Sequence, residues 1–216
     1  MTPIGALVGM VGALFMSATM AITALVYVGT DGERYSPFNH FVSELGQVGV
    51  SRLALVHNAG QIVGGISFAI FIVALGLARK SALAWLFVPI GVLAGIGATF
   101  VGIFPMNQIR LHTLFALTFF VLGWIAVGLA SWDFVRRRDP RFPWWLAAIG
   151  ALTVLAFISF LVVVTPLFRT TGLESPPTRP DFWIVPTLEW AVVIGILIWT
   201  FASSFTWWRH DRGTRP

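Results

Sequence analysis

The sequence predicts an all-α integral membrane protein: a bundle of six transmembrane helices, with a short amphipathic helix in the first outer loop. Three observations predict it. Charged residues make up 11% of the 216 residues and residues of the AVILMFWYC set 57%, where soluble domains carry about 25% charge. The mean hydropathy is +0.84, so polar side chains are too few to cover a water-soluble globule. Six long stretches are almost free of Asp, Glu, Lys and Arg, and the cations fall mainly in alternate connections between them.

The six expected spans are residues 4–28, 53–78, 81–104, 111–132, 144–168 and 183–208, which together form a single membrane domain. Each is long enough to cross about 30 Å of hydrocarbon at roughly 1.5 Å per residue. The apolar runs are continuous and show no period of two, which implies helices rather than barrel strands. The first span lacks a basic leader and is too long for the core of a signal peptide, so it reads as a retained helix. Within the spans the only formal charge is Glu189. Gly5-x-x-x-Gly9, Gly60-x-x-x-Gly64 and Gly91-x-x-x-Gly95 provide small-residue spacings that let helices approach closely.

Orientation follows from the cations. Arg79, Lys80, Arg136, Arg137, Arg138, Arg141, Arg209, Arg212 and Arg215 fall on one side. Arg34, Arg52, Arg110, Arg169 and Arg179 fall on the other, offset by Asp31, Glu33, Glu44, Glu174 and Asp181. The richer side is expected to be cytoplasmic, with both termini, and the membrane to be the cell membrane. Trp132, Phe134, Trp144, Trp145, Trp183, Trp207 and Trp208 sit at span ends, as an interfacial aromatic belt requires.

The first outer loop is the longest. Ser36 suits an N-cap, Pro37 the first helical position and Gly46 a terminator. Phe38, Phe41, Val42 and Leu45 form an apolar stripe at i, i+3, i+4 and i+7, with Asn39, His40, Ser43, Glu44 and Gln47 opposite. Residues 36–46 are therefore expected to be an amphipathic helix on the bundle surface.

Two segments then resemble a known family. Tyr35-Ser-Pro-Phe-Asn-His40-Phe-Val-Ser43-Glu44-Leu45-Gly46 resembles the Ser-Glu-Leu-Gly segment of an uncharacterised bacterial and archaeal membrane family, catalogued as domain of unknown function 998. Gly102-Ile-Phe-Pro105-Met-Asn107, followed by His112, resembles its second segment, where an acidic residue is expected at the position of Asn107. The resemblance covers essentially the whole chain. It implies about six spans and a membrane location, and it brings no established reaction.

Ionisable groups inside a membrane are costly and call for an explanation. His40, Glu44, His57, Asn58, Gln61, Asn107, Arg110, His112 and Glu189 all map to the outer end of the spans and are the candidate pocket residues. Glu189 is expected to face the interior with Arg110, His57 or His112 as its partner. The reading for function is an outer pocket that binds a lipid-like or small amphiphilic ligand. One alternative is an intramembrane hydrolase, with Glu44 or Glu189 as base and His residues on a metal. Others are a b-type haem held by His57 and His112 and a proton-coupled transporter using Glu189. Against each stands a structural role: His40 and Glu44 as a solvated i,i+4 pair, Asn107 as a turn cap.

No cofactor and no metal is expected. The absence of Cys excludes disulfides, thiolate metal sites and a thiol nucleophile. No phosphate loop or nucleophile elbow is present. The pI of 11.0 reflects topology cations rather than nucleic-acid binding. Membrane lipids are the expected partners, and oligomeric state is open.

Overall fold

The computed structural model describes residues 2–170 and 179–213. Arg215 and Glu174, used above for orientation, lie outside the described residues. The described chain is helical: α1 (Thr2–Val26), α2 (Ala54–Arg79), α3 (Ala82–Ile103), α4 (Ile109–Arg137), α5 (Trp144–Thr170) and α6 (Ile184–Gly213). All six are long and apolar enough to cross a membrane. The chain is accordingly a multi-pass membrane protein.

Most boundaries fall within a few residues of the expected spans, because the loop chemistry marks them. Lys80 ends α2 in the left-handed conformation (φ 47°), with its N–H donating to the Gly76 carbonyl. Ser81 then caps α3, its hydroxyl accepting from the Ala84 N–H at 3.0 Å. This two-residue link makes α2 and α3 antiparallel neighbours. Helix α4 overruns its expected end by five residues and carries Asp133 inside it. A turn follows in which the Asp139 carboxylate accepts the Arg141 N–H at 3.0 Å.

The helices form a ring in which each packs on its sequence neighbours, closed by contact between α1 and α6. Glycines set the spacing on the α1–α2–α3 side. A Cβ added at Gly60 would lie 1.9 Å from Thr19 Oγ1, and one at Gly95 only 2.9 Å from the Gly65 carbonyl oxygen. Only a residue without a side chain fits there. The middle of the ring is filled by aromatic side chains. Trp199 is fully buried between Phe71 and Phe134, and its indole N–H donates to Ser131 Oγ at 3.1 Å.

Two aromatic assignments change. Phe134 and Trp207 belong to the core and not to the interfacial belt, whereas Trp132 and Trp144 are exposed as a belt requires. Both buried rings lie on the inward faces of helices that continue past the apolar span, so position along the sequence alone misplaces them.

The basic end is also more than a row of arginines. Arg79 and Asp133 are buried, 3% and 1% exposed, and paired at 2.5 Å. Arg79 also donates to the Asp139 carboxylate at 2.7 Å and to the Asp133 carbonyl at 3.1 Å. Its guanidinium lies over the Phe134 and Phe142 rings, and Arg137 caps the end of α2 by donating to the Arg79 carbonyl. This clasp ties α2 to α4 and to the α4–α5 turn. The sequence signal was the two aspartates standing among the Arg residues.

Candidate functional site

At the opposite end, the connection from α1 to α2 folds into the mouth of the ring. Residues 36–46 do not form the expected surface α-helix. A turn leads instead into a short 3-10 helix, Val42–Gly46. Phe41, Val42, Leu45 and Gly46 are buried, as the apolar stripe suggests, but so are His40 and Glu44 from the side expected to be wet; Phe38 is exposed. The reason is that partners from distant sequence reach the polar groups. Arg179 forms an ion pair with Glu44 at 2.9 Å and donates to the Asn39 carbonyl at 2.7 Å. Glu44 Oε1 accepts the Phe41 N–H at 2.8 Å.

Two further ties fix this plug to α6. The Trp190 indole donates to the Tyr35 hydroxyl at 2.9 Å, which in turn donates to the Phe41 carbonyl at 2.8 Å. Glu189 Oε2 accepts the Val42 N–H at 2.7 Å. The expected partner of Glu189, an Arg or His side chain, is therefore replaced by a backbone N–H. The 3-10 helix leaves its first N–H groups without partners of their own, and a carboxylate meets one of them.

His40 lies among Tyr27 and Tyr35 with ring centroids 5.5 and 5.0 Å away, and its Nε2 faces Glu33 at 3.7 Å. Burial pushes its pKa below the ordinary histidine value. Burial also raises both tyrosines, with Glu44 adding to Tyr27 and Glu189 to Tyr35. These groups are held neutral and serve as packing and hydrogen-bonding elements.

The nine predicted site residues separate into groups. Asn58 donates to the Gly46 carbonyl at 3.0 Å and anchors the plug to α2. Asn107 grips Val48 at both its N–H and its carbonyl, each at 2.9 Å, which is the capping role on a different loop. Gln61 donates to the Ala98 carbonyl at 3.4 Å and lines a mid-bundle void of about 50 Å³ that also touches Thr200. Arg110 is exposed and has no ion pair among the described residues. It stands two residues from His112, which is 200° around a helix, so the two cannot both face inward. His57 is buried, and its Nδ1 meets no partner among the described residues.

His112 and Glu189 do line one cavity. With Ser43 and Thr113 they supply polar groups to this cavity of about 60 Å³, otherwise walled by residues such as Leu117, Phe120 and Phe160. That is space for a few water molecules or a small polar head. His112 Nδ1 lies 2.9 Å from the Phe104 carbonyl, so the proton sits on Nδ1 and Nε2 is left as an acceptor. Glu189 Oε1 has no hydrogen-bond donor among the described residues. The cavity thus presents the Glu189 carboxyl and His112 Nε2 beside the hydroxyls of Ser43 and Thr113, and no cation is among the described residues that line it. Sequence reasoning missed Ser43, Tyr35, Trp190 and Arg179 as parts of this assembly. Tyr35 and Ser43 were signalled by the family segment and Arg179 by its place before span six, whereas Trp190 looks like any other aromatic residue of that span.

No three His, Asp or Glu side chains gather as metal ligands among the described residues. His40 and Glu44 are separately engaged, by the tyrosines and by Arg179.

Comparison with curated proteins and with solved structures found no match. A family profile described as "Protein of unknown function (DUF998)" matches residues 10–206. Those residues span all six helices together with both of the segments that carried the resemblance. The chain belongs to this family.

Proposed function

We propose that the loop end of the bundle binds a small amphiphile whose head carries hydrogen-bond donors, a hydroxyl or an ammonium group. The observation that supports it is that Glu189 Oε1 and His112 Nε2 belong to the lining of one cavity and neither is hydrogen-bonded among the described residues. An open polar atom in an apolar setting is costly unless a hydrogen-bond partner satisfies it. Leu117, Phe120 and Phe160 offer the apolar surface that a chain requires. An anionic head is disfavoured here, because Arg110 stands outside the cavity and Arg179 is committed to Glu44. Binding is the activity in this reading; lipid or lipid-like molecules are the partners.

Gentle-detergent purification and native mass spectrometry test it. The wild type is expected to retain a low-mass amphiphile that Glu189→Gln and His112→Leu both release, while Arg110→Ala keeps it. Glu189→Gln preserves an acceptor for the Val42 N–H, so loss of ligand is separable from loss of fold. Identical annular lipid on all four proteins sinks the reading.

The same reading places the basic end in the cytoplasm and the plug outside, in the cell membrane. Its support is the cation distribution. With no native Cys, Asp181→Cys is expected to react with an impermeant maleimide on intact cells and Lys80→Cys only after lysis. Both positions are exposed. The reverse pattern inverts the topology.

A further inference from the structure

At the basic end, on the lipid-facing side of α2 and α3, lies an open apolar groove of about 680 Å³. Leu77, Ala84, Trp85 and Val88 wall it, and Lys80 and Ser81 close its top. Trp85 and Leu77 are among the most exposed apolar side chains of the protein. Ser81 is shared with a second, polar notch of about 320 Å³ bounded by Arg136 and Arg137. The geometry points to a specific site for an anionic phospholipid of the basic-end leaflet, with its phosphate between Lys80 and Arg136 and one acyl chain in the α2–α3 groove.

Three observations carry this. The first is charge left over after internal pairing. Arg79 is taken by Asp133 and Asp139, Arg141 by Asp139, and Arg137 by the Arg79 carbonyl. Asp133, the one carboxylate in the notch, is neutralised by Arg79. Lys80 and Arg136 have no anionic partner among the described residues, and both are exposed beside Ser81. The second is backbone placement. Lys80 holds a left-handed conformation (φ 47°) that residues other than Gly rarely adopt, and that turn puts a cation at the head of the groove. The third is the solvent. In a membrane-spanning chain a groove at this depth fills with hydrocarbon, and a cation at its top holds a phosphate at the interface. A phospholipid supplies both chemistries in one molecule. The site is separate from the cavity at His112 and Glu189, which lies at the other end and has no cation among the described residues that line it.

The test uses the full chain in nanodiscs and in detergent. Phosphatidylglycerol and phosphatidylcholine are titrated and counted by native mass spectrometry on wild type, on Lys80→Ala/Arg136→Ala and on Leu77→Trp. The wild type is expected to hold phosphatidylglycerol on the order of tenfold more tightly than phosphatidylcholine, and the double variant to lose that preference. Leu77→Trp, which fills the groove, is expected to weaken both lipids. Neither substitution removes a buried contact, so folding is preserved, and thermal midpoints check that. Equal retention of both lipids by the wild type overturns the proposal, as does a preference that survives the double variant. Displacement of phosphatidylglycerol by glycerol phosphate at equal concentration overturns it in favour of a free-phosphate site. A lipid-free dimer that Leu77→Trp disrupts overturns it in favour of self-association.

Discussion

Replacing Arg79 with Met is expected to destabilise the bundle by about 3–5 kcal/mol, the cost of leaving a buried charge unpaired. Asp133 is 1% exposed and Arg79 is its only ion-pair partner among the described residues. Asp139 suffers less, since Arg141 still reaches it at 2.7 Å. The converse substitution is expected to be milder. In Asp133→Asn, Arg79 keeps Asp139 at 2.7 Å and the backbone carbonyl of residue 133. The double variant Arg79→Met/Asp133→Leu is expected to recover much of the loss, because a buried pair replaced by apolar groups of similar volume is close to neutral. Thermal unfolding in detergent measures all three, with a fall on the order of 10 °C for Arg79→Met. A double variant no better than the single one shows that the clasp acts through something other than charge compensation.

Trp199→Ala is the second large effect. Trp199 is fully buried and bridges α2, α4 and α6 through Phe71, Phe134 and Ser131. In a water-soluble core such a truncation costs about 3–5 kcal/mol, combining transfer from water with a cavity. Here the partly unfolded chain remains in lipid, so the transfer part falls away and lost packing dominates. The expectation is roughly 2–3 kcal/mol, with side-chain contact as the cause. Trp199→Phe keeps the ring contact and drops the indole N–H, leaving only the Ser131 hydroxyl to be satisfied. Its expected cost is about 1 kcal/mol. Equal midpoints for the Ala and Phe variants contradict a packing role.

How much of this was legible in advance depends on the range of the interaction. The helices were legible because each is specified locally, by some twenty apolar residues and by breakers at their ends. Ser81 announces a cap, and the Gly60 and Gly95 spacings announce close approach, whatever the neighbour turns out to be. The plug was misread for the opposite reason. Its period of 3.6 in residues 36–46 is real, but the preferred conformation is decided by Arg179 and Trp190, more than 130 residues away. A polar face that looks wet in isolation becomes buried when a distant cation and an indole meet it.

The candidate site divides the same way. That Glu189 must be satisfied follows from a carboxylate in an apolar span, which the sequence alone decides. That a backbone N–H of Val42 satisfies it, and that Arg110 does not, required the fold, since Arg110 and His112 lie on opposite faces of α4 and only one can point inward. By itself the sequence determined the six spans, the family segments and the need for polar partners, because these rest on composition and short-range periodicity. Only the tertiary structure decided which groups pair, that Asp133 is a buried counterion rather than an interfacial charge, and that one cavity holds His112, Ser43 and Glu189. Pairing depends on which faces the ring of helices brings together, and no local pattern encodes that.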